Sequence, residues 1–301
     1  MRVKVSDAVV VETLKRFNGN KTQAASALGL NLRSFIRRVQ GLEQRGLVVT
    51  GEGKPRAEYT LPDGEIIVFS DAHFYPGVDT PAFIGLLQVI EKLKPKAVIC
   101  NGDAFDGASI SRHPRIGWDK APTVKQELEA VQDSLHRIQQ AAGGAKLFWP
   151  LGNHDARFET RLAAQAPEYE GVFGFSLKDH FPAWIPCWSV MVNNNTMIKH
   201  RWHNGVHAAY NNVLKAGVSI VTGHLHSLKV TPYTDYTGDR YGVDTGTLAD
   251  PTGPQFLYVE DNPLNWRAGF VVLTFRDGKL MPPELAQVVD EQLYFRGEFY
   301  D

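Results

Sequence analysis

Apolar positions along this chain gather into short runs that stop abruptly at polar clusters. Glu65 to Ser70, Ala97 to Cys100, Ala145 to Pro150 and Val218 to Val221 are each four to six residues long and rich in branched or aromatic side chains. Runs of that length read as buried strands. Met197 to His200 closes a further strand-like run, and Lys229 to Tyr233, Arg240 to Asp244 and Phe270 to Leu280 follow, the last with Asp277-Gly278 as a hairpin signal. Helical spacing appears instead over Thr123 to Ala142, where Leu128, Val131, Leu135 and Ile138 share a face, and over Val206 to Lys215. The pattern predicts a mixed α/β fold over most of the chain.

The first fifty residues differ. Three helical patterns fit them, Ser6 to Phe17, Lys21 to Leu28 and Leu32 to Arg45, with Gly29 at the tight turn before the third, as in a helix-turn-helix. On the third helix, Leu32, Phe35, Ile36, Val39 and Leu42 form the expected apolar face, and Arg33, Ser34, Arg37 and Arg38 lie opposite, where a DNA groove could receive them. This segment holds nine Lys or Arg against three acids, a net of +6, while the remainder carries −7 to reach the chain's −1. Such asymmetry points to a nucleic-acid-facing module. A solvated arginine face, or a protein-docking helix-turn-helix, fits the same residues. The expected organisation is a helical module over 1–50, a Gly- and Pro-containing linker over 51–63, a catalytic domain over 64–285 and a surface tail over 286–301.

Each strand-like run through the middle of the chain ends in a polar motif: Ser70-Asp71-Ala72-His73, Asn101-Gly102-Asp103-Ala104-Phe105-Asp106, Gly152-Asn153-His154-Asp155, Lys199-His200 and Gly223-His224-Leu225-His226. Open α/β folds build their sites at the carboxyl ends of strands. The groups supplied are carboxylates, an amide and imidazoles with no thiolate, which suits divalent cations: Mn²⁺ foremost, with Fe, Zn²⁺ or Mg²⁺ as alternatives. A pair of such metals is a standard device for hydrolysing phosphate esters.

In order, spacing and strand context, the five motifs resemble the signature of the calcineurin-like metallophosphoesterase superfamily over about residues 64–280. The resemblance implies a β-sandwich flanked by helices, with the ligands on loops at one edge. It implies that Asp71, His73 and His226 hold a first metal, that Asn153, His200 and His224 hold a second, and that Asp103 bridges them. It further implies that His154 protonates the leaving oxygen and that Asp106 orients this histidine. His203 is a rival to His200, because the family's usual His-Gly is His200-Arg201 here. The phosphoprotein phosphatase branch places Arg after the second motif, whereas this chain has Gly107; Arg112, Arg115 or Arg157 could substitute. The run Gly19 to Ala25 followed by Leu28 to Asn31 resembles the Fis-type helix-turn-helix of bacterial regulators.

Three readings follow: a nucleic-acid phosphodiesterase or nuclease, a phosphomonoesterase tethered by its helix-turn-helix, and a DNA-binding regulator with a relic metal site. No stretch approaches the ~18 apolar residues of a membrane span, and the polar amino terminus predicts no leader. Cys100 and Cys187 read as small packing residues, which with the rest points to a cytoplasmic setting. Two-fold pairing is expected if a single helix-turn-helix is to bind DNA tightly, so a homodimer is left open. His113 sits in a basic loop after the second motif, where a substrate contact is open; His136 reads as a surface or boundary residue, and His180 is uninformative.

Overall fold

The computed structural model describes residues 5–16, 21–44, 56–112, 118 and 120–301, and the chain divides into two units between Pro55 and Arg56. The first unit is a three-helix module of α1 (Asp7–Arg16), α2 (Lys21–Ala27) and α3 (Leu32–Gln44). Val10, Leu14, Ala24, Ala25, Phe35, Val39 and Leu42 close its core. After α2, Gly29 takes a left-handed φ of 60°. The amide of Leu30 then reaches back to the carbonyl of Ala25 at 2.9 Å, and that of Gly29 to Ser26 at 3.0 Å. This paired closure of a helix end needs a residue that tolerates positive φ, which explains glycine at the turn. Asn31 caps α3 by accepting from the amides of Arg33 and Ser34.

Two members of the expected α3 faces fall elsewhere. Leu32, at the first position of α3, is exposed and lies outside the small core. Arg38 is engaged: Nε and Nη2 donate to Asp7 Oδ1 at 2.8 and 2.6 Å, and Nη2 also donates to the carbonyl of Val5. Its guanidinium ties α3 to the start of α1.

The second unit begins with β1 (Arg56–Tyr59), β2 (Gly64–Phe69), α4 (Pro81–Leu93), β3 (Ala97–Cys100), α5 (Val124–Ala142), β4 (Lys146–Pro150) and α6 (Asp155–Gln165). It continues through α7 (Leu177–His180), β5 (Ile185–Cys187), β6 (Ser189–Val192), β7 (Thr196–Ile198), α8 (Ala208–Ala216) and β8 (Ser219–Thr222). It ends with β9 (Lys229–Asp235), β10 (Gly238–Asp244), β11 (Gly269–Arg276), β12 (Lys279–Leu280), β13 (Glu284–Val289), β14 (Gln292–Phe295) and β15 (Glu298–Tyr300). One sheet runs β15-β14-β13-β11-β2-β3-β4-β5, with β12 beside β11, and the other runs β1-β6-β7-β8-β10-β9.

Strand alternation decides how the sheets stack. Ile66, Val68, Ala97, Ile99, Val271, Leu273 and Phe275 project toward Val190, Val192, Ile198, Val221 and Val243 of the other sheet. Their neighbours Ile67, Phe69, Val98, Cys100, Phe270 and Val272 project the other way, onto Phe83, Leu86, Val89 and Ile90 of α4 and Leu128, Val131, Leu135 and Ile138 of α5. Both faces of the central strands are therefore buried, and β2 to β5 are parallel. That is why these runs read as continuously apolar instead of alternating. The result is an α/β sandwich flanked by helices.

Two expected boundaries move. Residues 56–59, placed in the linker, form an edge strand paired in parallel with β6; residues 51–55 lie outside the described ones. The segment 286–301, expected to be a tail, supplies β14, β15 and most of β13 to the first sheet, with Leu293 and Phe295 buried beneath α4. Leu293→Ala is accordingly expected to lower unfolding free energy by roughly 2–5 kcal/mol, the range for a buried leucine truncation. A chemical-denaturation midpoint unchanged within error would return this segment to the surface.

Candidate active site

Five loops meet at one edge of the sandwich, each leaving the carboxyl end of a strand: β2, β3 and β4 from one sheet, β7 and β8 from the other. β2 to β4 are mutually parallel, and so are β7 and β8, so their ends point the same way. Backbone bonds lock the loops together. The amides of Asp71 and His73 donate to the carbonyls of Gly102 and Asp103, and that of Gly223 to His200. Asp71, His73, Asp103, His224 and His226 all take left-handed φ values between 38° and 74°. For non-glycine residues each such conformation costs on the order of 1–3 kcal/mol, and it clusters where a scaffold forces side chains to converge.

The side chains converge in three groups: Asp71, His73 and His226; Asp103, His200 and His224; and His73, Asp106 and His154. In the first, His226 Nε2 stands 3.2 Å from Asp71 Oδ1. In the second, His200 Nε2 stands 3.0 Å from Asp103 Oδ2. Yet Asp71 Oδ1, His200 Nε2 and Asn153 Oδ1 are buried and make no aligned hydrogen bond. Buried polar atoms are normally satisfied, so converging ligand atoms that make no aligned hydrogen bond fit a shared cation. The other atoms of these groups are tied down: His200 Nδ1 donates to the carbonyl of Asn101 at 2.8 Å, and Asp71 Oδ2 accepts from Ser70 and from the amide of His224. This is the outer support that fixes a metal ligand's direction.

The third group is different. Asp106 Oδ1 lies 2.7 Å from His154 Nδ1 and 3.0 Å from His73 Nδ1. A carboxylate can only accept, so both nitrogens carry protons. One oxygen therefore orients two imidazoles. His154 Nε2 lies 4.0 Å from Asp103 Oδ2 and 3.1 Å from Nη2 of Arg157, whose Nη1 donates to the carbonyl of Asp106 at 2.8 Å.

Charge follows from this crowding. Burial would raise Asp71, but the charges of His226 and His200 outweigh it and hold the carboxyl at about 2. Asp103 is likewise held well below the ordinary range, burial being overcome by His200 and His154. Burial pulls His200 down, while Asp103 and Asp71 push it up to about 10. His224 moves the other way, to about 4, through burial first and the charge of His200 second. At neutral pH the site balances buried carboxylates with an imidazolium, and a cation binding at His200 Nε2 displaces that proton.

Six of the seven residues read as ligands, all but Asn153, fall within these groups, and Asn153 Oδ1 is buried without a partner. His200 is in the cluster, whereas His203 stacks on Trp202 and its amide is bonded to Asn212. His207 begins α8 in an exposed position, and His136 and His180 bond to Gln140 and Gly174. Arg112 is exposed; His113 and Arg115 lie outside the described residues. Arg157 is the arginine that arrives. Sequence reasoning missed Asp155, whose buried carboxylate accepts from the amides of Asp103, Ala104, Phe105 and Gly152 and from Trp149 Nε1. Its signal was present, an acid that closes the third motif and opens a helix. Thr245 and Thr247, bonded to Ser70 Oγ and to the carbonyl of Asp71, carried no comparable signal.

A family profile for calcineurin-like phosphoesterases matches residues 64–242, and one for bacterial regulatory proteins of the Fis family matches residues 4–41. Gene 54 protein of Mycobacterium phage L5 is 24% identical over 260 residues, covering 78% of this chain and 98% of that protein. Its counterpart in Mycobacterium phage D29 is 24% identical over 256 residues, with the same coverage. Among solved structures, a novel archaeal phosphodiesterase is similar with 14% identity and a TM-score of 0.39, covering 73% of this chain and 99% of its own. Vps29 of Chaetomium thermophilum is similar with 11% identity and a TM-score of 0.40, covering 78% and 97%. A serine/threonine phosphatase from Saccharomyces cerevisiae shows 13% identity and a TM-score of 0.37, covering 79% and 85%.

A Cβ at Gly152 would lie 2.0 Å from Asp103 Oδ1 and 2.6 Å from its amide, so no other residue fits without moving Asp103. Gly152→Ala is expected to keep its circular dichroism yet bind Mn²⁺ at least 10- to 100-fold more weakly, on the scale of disturbed ligand support. Titration calorimetry showing unchanged affinity would remove Asp103 from the cation site.

Proposed function

Because this chain belongs to the calcineurin-like phosphoesterase family, and is thereby a metal-dependent hydrolase of phosphate esters, we propose that it is a two-metal phosphodiesterase acting on nucleic acid. Asp71, His73 and His226 hold one divalent cation, Asn153, His200 and His224 the other, and Asp103 lies between. Mn²⁺ suits this oxygen and nitrogen set best, with Fe, Zn²⁺ and Mg²⁺ as alternatives. The observation that carries the reading is the convergence of two ligand groups, Asp71, His73 and His226 and Asp103, His200 and His224, with Asp71 Oδ1, His200 Nε2 and Asn153 Oδ1 buried and without an aligned hydrogen bond. Bound divalent cations supply Lewis acidity to phosphoryl oxygens and acidify a water nucleophile.

The chain's own residues do the rest. Asp106 fixes the His154 ring through Nδ1, leaving Nε2 to carry a proton to the leaving oxygen. In the structure Nε2 faces Arg157 Nη2. Once that nitrogen is protonated, the guanidinium is released to a phosphoryl oxygen beside it. This placement of Arg157 also favours a second reading, a phosphomonoesterase, since it supplies a guanidinium near the place left bare by Gly107.

The nucleic-acid assignment draws on the Fis-type module. Arg33, Ser34 and Arg37 stand exposed on α3, and we place the contacts there; Arg38 serves the module's own structure. Two-fold pairing of modules and a cytoplasmic location accompany this reading. Among the described residues no helix is long and apolar enough to cross a membrane.

With Mn²⁺, turnover of an aryl phosphodiester should exceed that of the matching monoester. His154→Gln should retain its metals and lose on the order of 10²–10⁴-fold in turnover of an alkyl ester, less with a nitrophenolate leaving group. Preferred turnover of the monoester would select the second reading, and loss of metal from the variant would make His154 a ligand. Replacing Arg33 and Arg37 with Ala should weaken DNA binding and lower the salt slope by about 2 in a fluorescence-anisotropy series. An unchanged slope would make the module a protein-docking unit.

A further inference from the structure

Segment 254–266 walls one side of the site with aromatic rings. Phe256 is buried and lies 5.3 Å from His73 and 5.4 Å from His226, ring centre to ring centre. Trp266 lies 4.3 Å from His226 and 5.0 Å from Phe256, and Tyr258 stands 6.3 Å from Phe256 on another side. All these pairs are edge-to-face, so Phe256 is a wedge that positions two further rings. Tyr258 is 57% exposed and Trp266 partly exposed. Burial, and then the charge of Asp106, hold the Tyr258 phenol above its ordinary value. The Tyr258 ring thus stands beside Phe256 on the wall of the site while offering area to solvent. A wall needed only to exclude water would be finished by Phe256.

We propose that Tyr258 and Trp266 form a stacking subsite for a nucleobase carried by the ester group that stays on the phosphate, lying on the Asp71, His73 and His226 side. A flat base covers exposed aromatic rings with little regard to its sequence, as in single-strand-binding proteins. A neutral tyrosine and a tryptophan offer that surface without adding charge beside the carboxylates. The inference rests on the phosphodiesterase reading and deepens it, by naming what flanks the scissile phosphate.

The test compares the p-nitrophenyl ester of thymidine 5′-phosphate with its abasic analogue, in which hydrogen replaces thymine, both with Mn²⁺. The leaving group is the same in the two, so the ratio of kcat/KM isolates the base. The native chain should prefer the base-bearing ester roughly 5- to 150-fold, mainly through KM, in keeping with the strength of one base–aromatic stack. Tyr258→Ala should shrink that ratio substantially, and Tyr258→Phe should preserve it. Equal rates for both esters with the native chain would overturn the subsite and leave the phosphodiesterase reading intact. So would a Tyr258→Ala variant that slows both esters by the same factor, since the ring would then be scaffold. A native chain that hydrolyses neither diester, yet turns over p-nitrophenyl phosphate, overturns both.

Discussion

Two carboxylates, Asp71 and Asp103, are buried in one small volume, each at 1% exposure or less, and each raises the cost of charging the other. Isolated like charges in a low-dielectric interior are expensive. The chain lowers that cost by surrounding them with imidazoles, backbone amides and hydroxyls. His200 and His226 face them directly, the amide of His154 donates to Asp103 Oδ1, and Ser70 donates to Asp71 Oδ2. The His154 amide belongs to the start of α6, whose positive end also favours a negative charge there. Replacing an imidazolium by a divalent cation completes the same balance, so the site's chemistry and its electrostatic stability have one cause.

The geometry that permits this is paid for in backbone. Strand ends from two sheets are brought to one edge by apolar residues facing both ways from β2, β3 and β11, and five of the clustered site residues then accept left-handed conformations. Asp155 is the hub of this arrangement. By accepting from four amides and an indole it holds the loop carrying Asp103 against the loop carrying Asn153 and His154. A buried carboxylate with that many donors is rigid, and rigidity near the reacting groups is what positions His154 and Arg157.

Much of this was legible in the sequence because the signals were local. The strands ending in motifs stood out because both faces of the central sheet are buried, which leaves unbroken apolar runs. The three helices of the first unit were legible from spacing and from Gly29. What escaped depended on tertiary contact. The helix α4 has a Thr80 cap and Pro81 at its start, but its largely apolar sequence blurs the helical period. Residues 286–301 look like a surface tail until β11 provides a sheet edge for β13. Arg38 shares a sequence face with Arg33 and Arg37, and only folding reveals that Asp7 holds it. Arg157 and the rings of Tyr258 and Trp266 reach the site through three-dimensional convergence, which no spacing rule encodes.

The central claim is that two cations sit on either side of Asp103. Anomalous diffraction from crystals soaked in Mn²⁺ tests it most directly. The account predicts two anomalous peaks, one among Asp71, His73 and His226 and one among Asn153, His200 and His224, with Asp103 touching both. A single peak, or a peak enclosed by His73, Asp106 and His154, would contradict it, because Asp106 would then be a ligand and His154 could not serve as the acid.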